Sequence, residues 1–458
     1  MPERCYLLTG ASGFLGREIL REIARREPDA RVYALLRAPV GDLERRAAAL
    51  GWRRVAPRAV AVSGDLMRLR AGLSPRDVER ITSEVTHVVH AGATVRFDED
   101  LHRARQVNVH GTRQLLDLAR RMKRLERFVL VSTAFVGGER ARTLLEGPAP
   151  PGRFRNTYER TKWEAEEVAR RAMATLPVTI VRPSIIGPAL APPAAHPAAQ
   201  RASDAPADEE PRASFGPADG VRCSTGAPAR GLADEPRARF LMLLHLYLTH
   251  GWRWVPGTPS SIVDLVPVDL VARATLALAE RPLSDGRWYH LAAGPRASTL
   301  GELGEIASRT FRAPPLAFVP RPLFRAALRL VVWGRARVLL DRAMPYVPYL
   351  SVRTRIDTTD SQRVLRELGI EMPRVADAFA ELLKMLHARG ELDVAAAHAP
   401  APMVSDPPAS AASASVRTGS APPALARPPV RFGTRQVLTL SAGRDGAAPP
   451  RRALERRS

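Results

Sequence analysis

The chain has 458 residues, 45% of them hydrophobic and 25% charged, a composition that fits a globular protein of roughly two or three domains. A net charge of +22 points at first to nucleic acid, but all but three of the 69 basic residues (Lys123, Lys162 and Lys384) are arginine, and abundant Ala and Pro accompany them. A general compositional skew explains such a charge, so no nucleic-acid partner is expected, and two cysteines, Cys5 and Cys223, are too few for a disulfide framework or a four-ligand metal site.

A strand and a glycine loop occupy the first residues and leave no room for a signal peptide. No apolar run reaches the roughly 18 residues of a membrane span, so a cytoplasmic location is expected. From Arg4 to Gly187, short apolar runs alternate with helical patterns, the signature of βαβ units on a parallel sheet. Strands are predicted at Cys5–Thr9, Val32–Leu36, Ala59–Ser63, His87–His90, Phe128–Ser132 and Val178–Arg182, each nearly all apolar, as strands covered on both faces should be. Residues 1–188 thus form a Rossmann domain. Residues 189–236 are rich in Pro, Ala, Ser and Asp and poor in large apolar side chains, so they read as a disordered insertion.

Residues 237–393 supply the remaining Rossmann elements and a substrate-binding region, with apolar pattern at Phe240–Leu248 and Val263–Ala279 and a further strand at Trp288–Leu291. Pro320–Arg342 is apolar but punctuated by arginines. Either it covers a substrate channel and rests on an anionic membrane surface, or it is an amphipathic helix buried on the domain. The Ala/Pro/Ser/Arg-rich stretch 394–458 is expected to have no stable fold. The fold class is α/β: a doubly wound parallel sheet of Rossmann type with a smaller C-terminal substrate-binding region.

Directly after the first strand, Thr9–Gly16 reads T-G-A-S-G-F-L-G and opens a helical pattern. Glycines at 10, 13 and 16 let backbone N–H groups approach a pyrophosphate, and the helix N-terminus adds positive potential. Gly10, Ser12, Gly13, Phe14, Leu15 and Gly16 are therefore candidate cofactor contacts. The end of the second strand carries Arg37 and no acid before Asp42, which favours the 2′-phosphate of NADPH over the free ribose of NADH. Asp65, after the third strand, is placed to accept from the adenine amino group.

Tyr158 and Lys162 are four apart in a helical run and share one face. A lysine ammonium beside a phenol is expected to lower the phenol's pKa and can also hold the nicotinamide ribose. Thr133, at the carboxyl end of the fifth strand, can hydrogen-bond a substrate carbonyl.

Taken with His90–Phe97 (HAGATVRF), Asn108–Thr112 (NVHGT), Arg182-Pro183-Ser184 and Val266–Asp269 (VPVD), these motifs resemble the extended short-chain dehydrogenase/reductase superfamily over Tyr6 to about Ala279. Within it the chain is most similar to the fatty acyl-CoA reductase, male-sterility and thioester-reductase group. The resemblance implies that Thr133, Tyr158 and Lys162 are catalytic, and that Leu66, Asn108, Lys162 and Pro183 join the glycine loop around NADP. It also implies reduction of an acyl-CoA or acyl-carrier-protein thioester to an aldehyde, with a further step to the alcohol left open. An NAD(P)-dependent epimerase or a hydroxysteroid- or sugar-type dehydrogenase uses the same three residues. Ala134 and Phe135, however, stand where dehydration chemistry would place acids.

Overall fold

Among the residues described by this computed structural model (4–139, 142–190, 244, 247–248, 253–282, 288–320, 323–324 and 344–390), seven apolar runs build one parallel sheet. They are β1 (Cys5–Thr9), β2 (Arg31–Leu36), β3 (Ala59–Ser63), β4 (His87–His90), β5 (Arg127–Val131), β6 (Val178–Pro183) and β7 (Trp288–Leu291). Their order is β7-β6-β5-β4-β1-β2-β3, so the direction of winding reverses between β1 and β4 and opens a crevice at their carboxyl ends. Most of 189–236, most of Pro320–Arg342 and all of 394–458 lie outside the described residues, and with them the expectations placed there.

Successive strand residues point to opposite faces, and both faces are covered. Leu7, Val88, Phe128 and Leu130 pack into one core, whereas Tyr6, Leu8, Val32 and Val89 pack into the other. Helix α1 (Phe14–Arg26) covers the second face through Ile19, Leu20 and Ile23, and ends in Arg25 and Arg26, which complement its C-terminal dipole. Helix α2 (Thr157–Ala172) is capped by Asn156, whose side chain accepts from the Glu159 N–H at 2.9 Å. Pro267 leads directly into helix α3 (Val268–Ala279), whose Ala272 and Leu276 join the α1 core. The apolar pattern read at Val263–Ala279 is therefore a short strand and then a helix laid over the Rossmann sheet.

The smaller region grows from the carboxyl ends of β6 and β7. Ile185–Gly187 pairs in parallel with Leu265–Pro267, while helices α4 (Leu300–Phe311) and α5 (Val375–Ala388) bury Leu303, Ala307, Phe379 and Leu383 together. Asp264 ties the parts together. Its buried carboxylate accepts from the Ser184 hydroxyl at 2.6 Å and from the backbone N–H groups of Ala293 and Gly294 at 2.9 and 2.8 Å. No helix among the described residues is long and apolar enough to cross a membrane.

Candidate active site

The glycine loop is built by close approach. Gly10 has φ 75°, and a side chain there would meet the Ala91 backbone at 2.7 Å, while one at Gly16 would meet the Gly10 carbonyl oxygen at 2.0 Å. Only glycine fits either position. Gly13 differs: its nearest neighbour would be the Gly10 carbonyl oxygen at 3.1 Å, and it lines the cavity below. Its missing side chain leaves room for a ligand at the α1 N-terminus, whose first turn carries no acid. That is the chemistry of a pyrophosphate cradle.

Register places Thr9 beside His90, both fully buried. The Thr112 hydroxyl, 3.1 Å from His90 Nε2, already donates to the Asn108 carbonyl at 2.7 Å, so it must accept from Nε2–H. His90 Nδ1 then accepts from the Thr9 hydroxyl at 2.7 Å, and that hydroxyl accepts from the Gly92 N–H at 3.1 Å. The ring is a neutral strut under the loop, and burial, with the Lys162 charge adding to it, pushes its pKa down to about 3. Unfolded His90 takes up a proton below its ordinary value near 6.5 and folded His90 does not, so its contribution to stability is lost as pH falls from 6.5 toward 3. His90→Gln keeps hydrogen-bonding capacity without ionising. Between pH 6.5 and 5 its unfolding free energy should fall less than that of the wild type, by about 1.4 kcal/mol per pH unit. Parallel denaturant titrations check this, and identical slopes would refute it.

Tyr158 and Lys162 stand one turn apart on α2, facing the end of β5. The Lys162 ammonium donates to the Val131 carbonyl at 2.7 Å, and burial pulls its pKa down to about 8, while the carboxylate of Glu166 pulls the other way. Burial pushes the Tyr158 phenol up to about 12, against a hydrogen bond from Thr133 that lowers it. The expected lowering of the phenol by Lys162 is therefore not what this structure shows. Desolvation dominates, and the ammonium is engaged with a backbone carbonyl. Beside Thr133, the Ser132 hydroxyl is buried with no hydrogen-bond partner among the described residues and lines the same cavity.

Behind Tyr158 lies an aromatic stack. The Phe97 ring sits 5.6 Å from Tyr158 and 5.0 Å from Tyr349, and the Tyr349 hydroxyl donates to buried Glu159 at 2.7 Å and accepts from Asn156 at 2.9 Å. Tyr349 thereby holds the N-terminus of α2, which carries Tyr158.

A single cavity of about 650 Å³ joins these groups. Gly10, Ser12, Gly13, Phe14, Leu15 and Gly16 line one end, with Arg37, Asp65 and Leu66. Thr133, Tyr158, Lys162 and Pro183 line it as well. Asn108 is not in the wall: its side chain bridges the Thr94 backbone, at 2.8 and 3.1 Å, to the Thr161 hydroxyl at 2.9 Å, and so positions the cavity from one layer behind. Asp65 also accepts from the Met67 N–H at 3.0 Å, shaping its own turn. Arg46, on the helix Leu43–Ala49, joins Arg37 in the wall, and nothing in its local sequence marks it. The far end is apolar, formed by α4, Leu316 and Phe379.

The NAD-binding family described as male sterility protein matches residues 8–275. The chain belongs to this family. It is 28% identical over 357 residues to fatty acyl-CoA reductase 1 of Xenopus laevis, covering 68% of this chain and 62% of that one. It is 34% identical over 220 residues to the human fatty acyl-CoA reductase 1, covering 40% and 43%. The chain thus spans under two thirds of the length of these curated relatives. Among solved structures, the terminal R domain of the myxalamid PKS-NRPS biosynthetic pathway superposes with a TM-score of 0.64 at 28% identity, covering 85% of this chain and 92% of that one. The matched residues include the glycine loop, Thr133, Tyr158 and Lys162.

Proposed function

We propose that the protein reduces an acyl thioester to an aldehyde at the expense of NADPH. The observation that carries this reading is the continuity of one cavity from the glycine loop, past Thr133, Tyr158 and Lys162, into an apolar lobe. The likeness to fatty acyl-CoA reductases and to the terminal R domain of a PKS-NRPS pathway supports the same substrate class. When bound, the reduced dinucleotide supplies a hydride for the carbonyl carbon. Its pyrophosphate would lie on the glycine loop and its nicotinamide ribose beside Lys162.

The chain's own residues act at the carbonyl oxygen. Thr133 and Ser132 offer hydroxyls to the developing oxyanion, and Tyr158 Oη holds the proton the oxygen takes up. The resulting hemithioacetal collapses by losing the thiol, which carries away the CoA or carrier arm and leaves the aldehyde. NADPH oxidation should follow addition of palmitoyl-CoA, with hexadecanal or hexadecanol recovered. No oxidation with any acyl-CoA or acyl-carrier thioester would refute the reading.

NADPH rather than NADH is proposed from the pair of arginines at the adenosine end. Neighbouring Arg45 is engaged by Asp42 at 2.8 Å, whereas Arg37 and Arg46 have no carboxylate in salt-bridge range among the described residues. Arg37→Ala and Arg46→Ala should each weaken NADPH binding by about 1.5–3 kcal/mol, the worth of a hydrogen bond to a charged group, and leave NADH binding nearly unchanged. Equal losses for both cofactors in calorimetric titrations would reject the assignment.

A further inference from the structure

We infer that one stripe of α4, closed by Leu316, measures the length of the substrate's chain. This rests on the acyl-thioester reading and narrows it. Leu300, Leu303, Gly304 and Ala307 recur at the spacing that puts four positions on one helix face, and all four line the apolar end of the cavity. Two of the four are the smallest residues available.

Gly304 is the informative position. A glycine inside a helix weakens it, so its presence calls for a reason of packing. A side chain there would meet Leu316 Cδ1 at 2.6 Å and Cγ at 3.1 Å. Leu316 itself lines the cavity. Gly304 therefore lets Leu316 lie back against α4 and keeps the lumen open. A single methyl group at 304 meets the far end of a flexible side chain, so the fold can absorb it, and the lumen gives Leu316 the space to move into.

The lobe suits a hydrocarbon and little else. Phe379 of α5 and Val263 face it, and Tyr247, which also lines it, turns its hydroxyl away onto the Pro314 carbonyl at 2.7 Å. A polar or charged tail would be desolvated there without a partner.

The test is kcat/KM across a series of saturated acyl-CoA thioesters from hexanoyl to stearoyl, with melting curves to confirm folding. Gly304→Ala should lower kcat/KM for palmitoyl and stearoyl thioesters by about tenfold or more and leave the octanoyl thioester within about twofold. Adding Leu316→Ala to Gly304→Ala should restore the long chains. An equal effect on every chain length, or no rescue by Leu316→Ala, overturns the inference. Calorimetry with straight-chain alcohols of increasing length separates it from the functional reading, because it needs no turnover. Wild-type affinity should rise with chain length, and Gly304→Ala should flatten that rise at the long end. A wild type that turns over no thioester yet shows this pattern refutes only the reaction, whereas a wild type without length dependence refutes the gauge.

Discussion

Tyr158→Phe should lower turnover by about 10²–10⁴-fold, the usual contribution of a positioned general acid, while NADPH affinity stays near the wild-type value. The substitution removes one oxygen and keeps the ring, so the contact with Phe97 at 5.6 Å persists and the start of α2 is undisturbed. What is lost is the proton on Oη and the partner of the Thr133 hydroxyl. A phenol held near 12 is protonated at neutral pH, so the proton stands on Oη before the reaction. Lys162→Ala should differ by harming NADPH binding as well as turnover, because it removes a cation from the cavity wall. Since Lys162 is held near 8, the wild-type rate should decline as pH rises through that value and the ammonium is lost. Steady-state kinetics with cofactor titration checks both variants. Near-normal rates for Tyr158→Phe would mean that another group supplies the proton.

Much of this site was readable before any coordinates because its signals are local. The glycine loop, the Tyr158–Lys162 spacing and Thr133 at a strand end each fall within a few residues, and most predicted strands of the central sheet are apolar runs bounded by turns. β7 was legible too, although residues 184–287 separate it from β6, because Trp288–Leu291 has the composition of a buried strand. Features assembled across the chain were not legible. Arg46 enters the cavity from a helix, but in a chain whose basic residues are nearly all arginine it has no distinguishing mark, and although Arg182 stands in the Arg182-Pro183-Ser184 motif, nothing in that motif points to its buried pairing with Glu166. The apolar lobe escaped for a different reason. The sequence drew attention to bulky residues in Pro320–Arg342, whereas the described wall depends on Gly304 and Ala307, residues whose smallness reads as weak helix and gains meaning only from Leu316 across the gap.

Arg182→Met should be among the most destabilising single substitutions in the Rossmann core. Arg182 forks onto Glu166 with Nε and Nη2 at 2.9 and 2.6 Å, and both side chains are almost wholly out of water, at 0% and 5% exposure. Its Nη1 donates to His290 Nε2 at 3.1 Å, and His290 Nδ1–H donates in turn to the Asp357 carbonyl at 2.5 Å. Burial and the arginine charge hold His290 neutral in the wild type, down at about 4. Methionine would leave the Glu166 carboxylate buried and unpaired, at a cost of about 3–5 kcal/mol. Arg182→Met combined with Glu166→Leu removes both charges and should recover most of that loss. The pair also bears on the reaction. Glu166 lies one turn beyond Lys162 and favours its charged form, and Arg182 neutralises part of that influence. At temperatures where the single variant remains folded, the alkaline limb of its rate profile should therefore move to higher pH. Denaturant unfolding of the two variants and the wild type, with pH–rate profiles of the folded fraction, tests both consequences. If the single variant were as stable as the double, the buried pair would not be holding the core together.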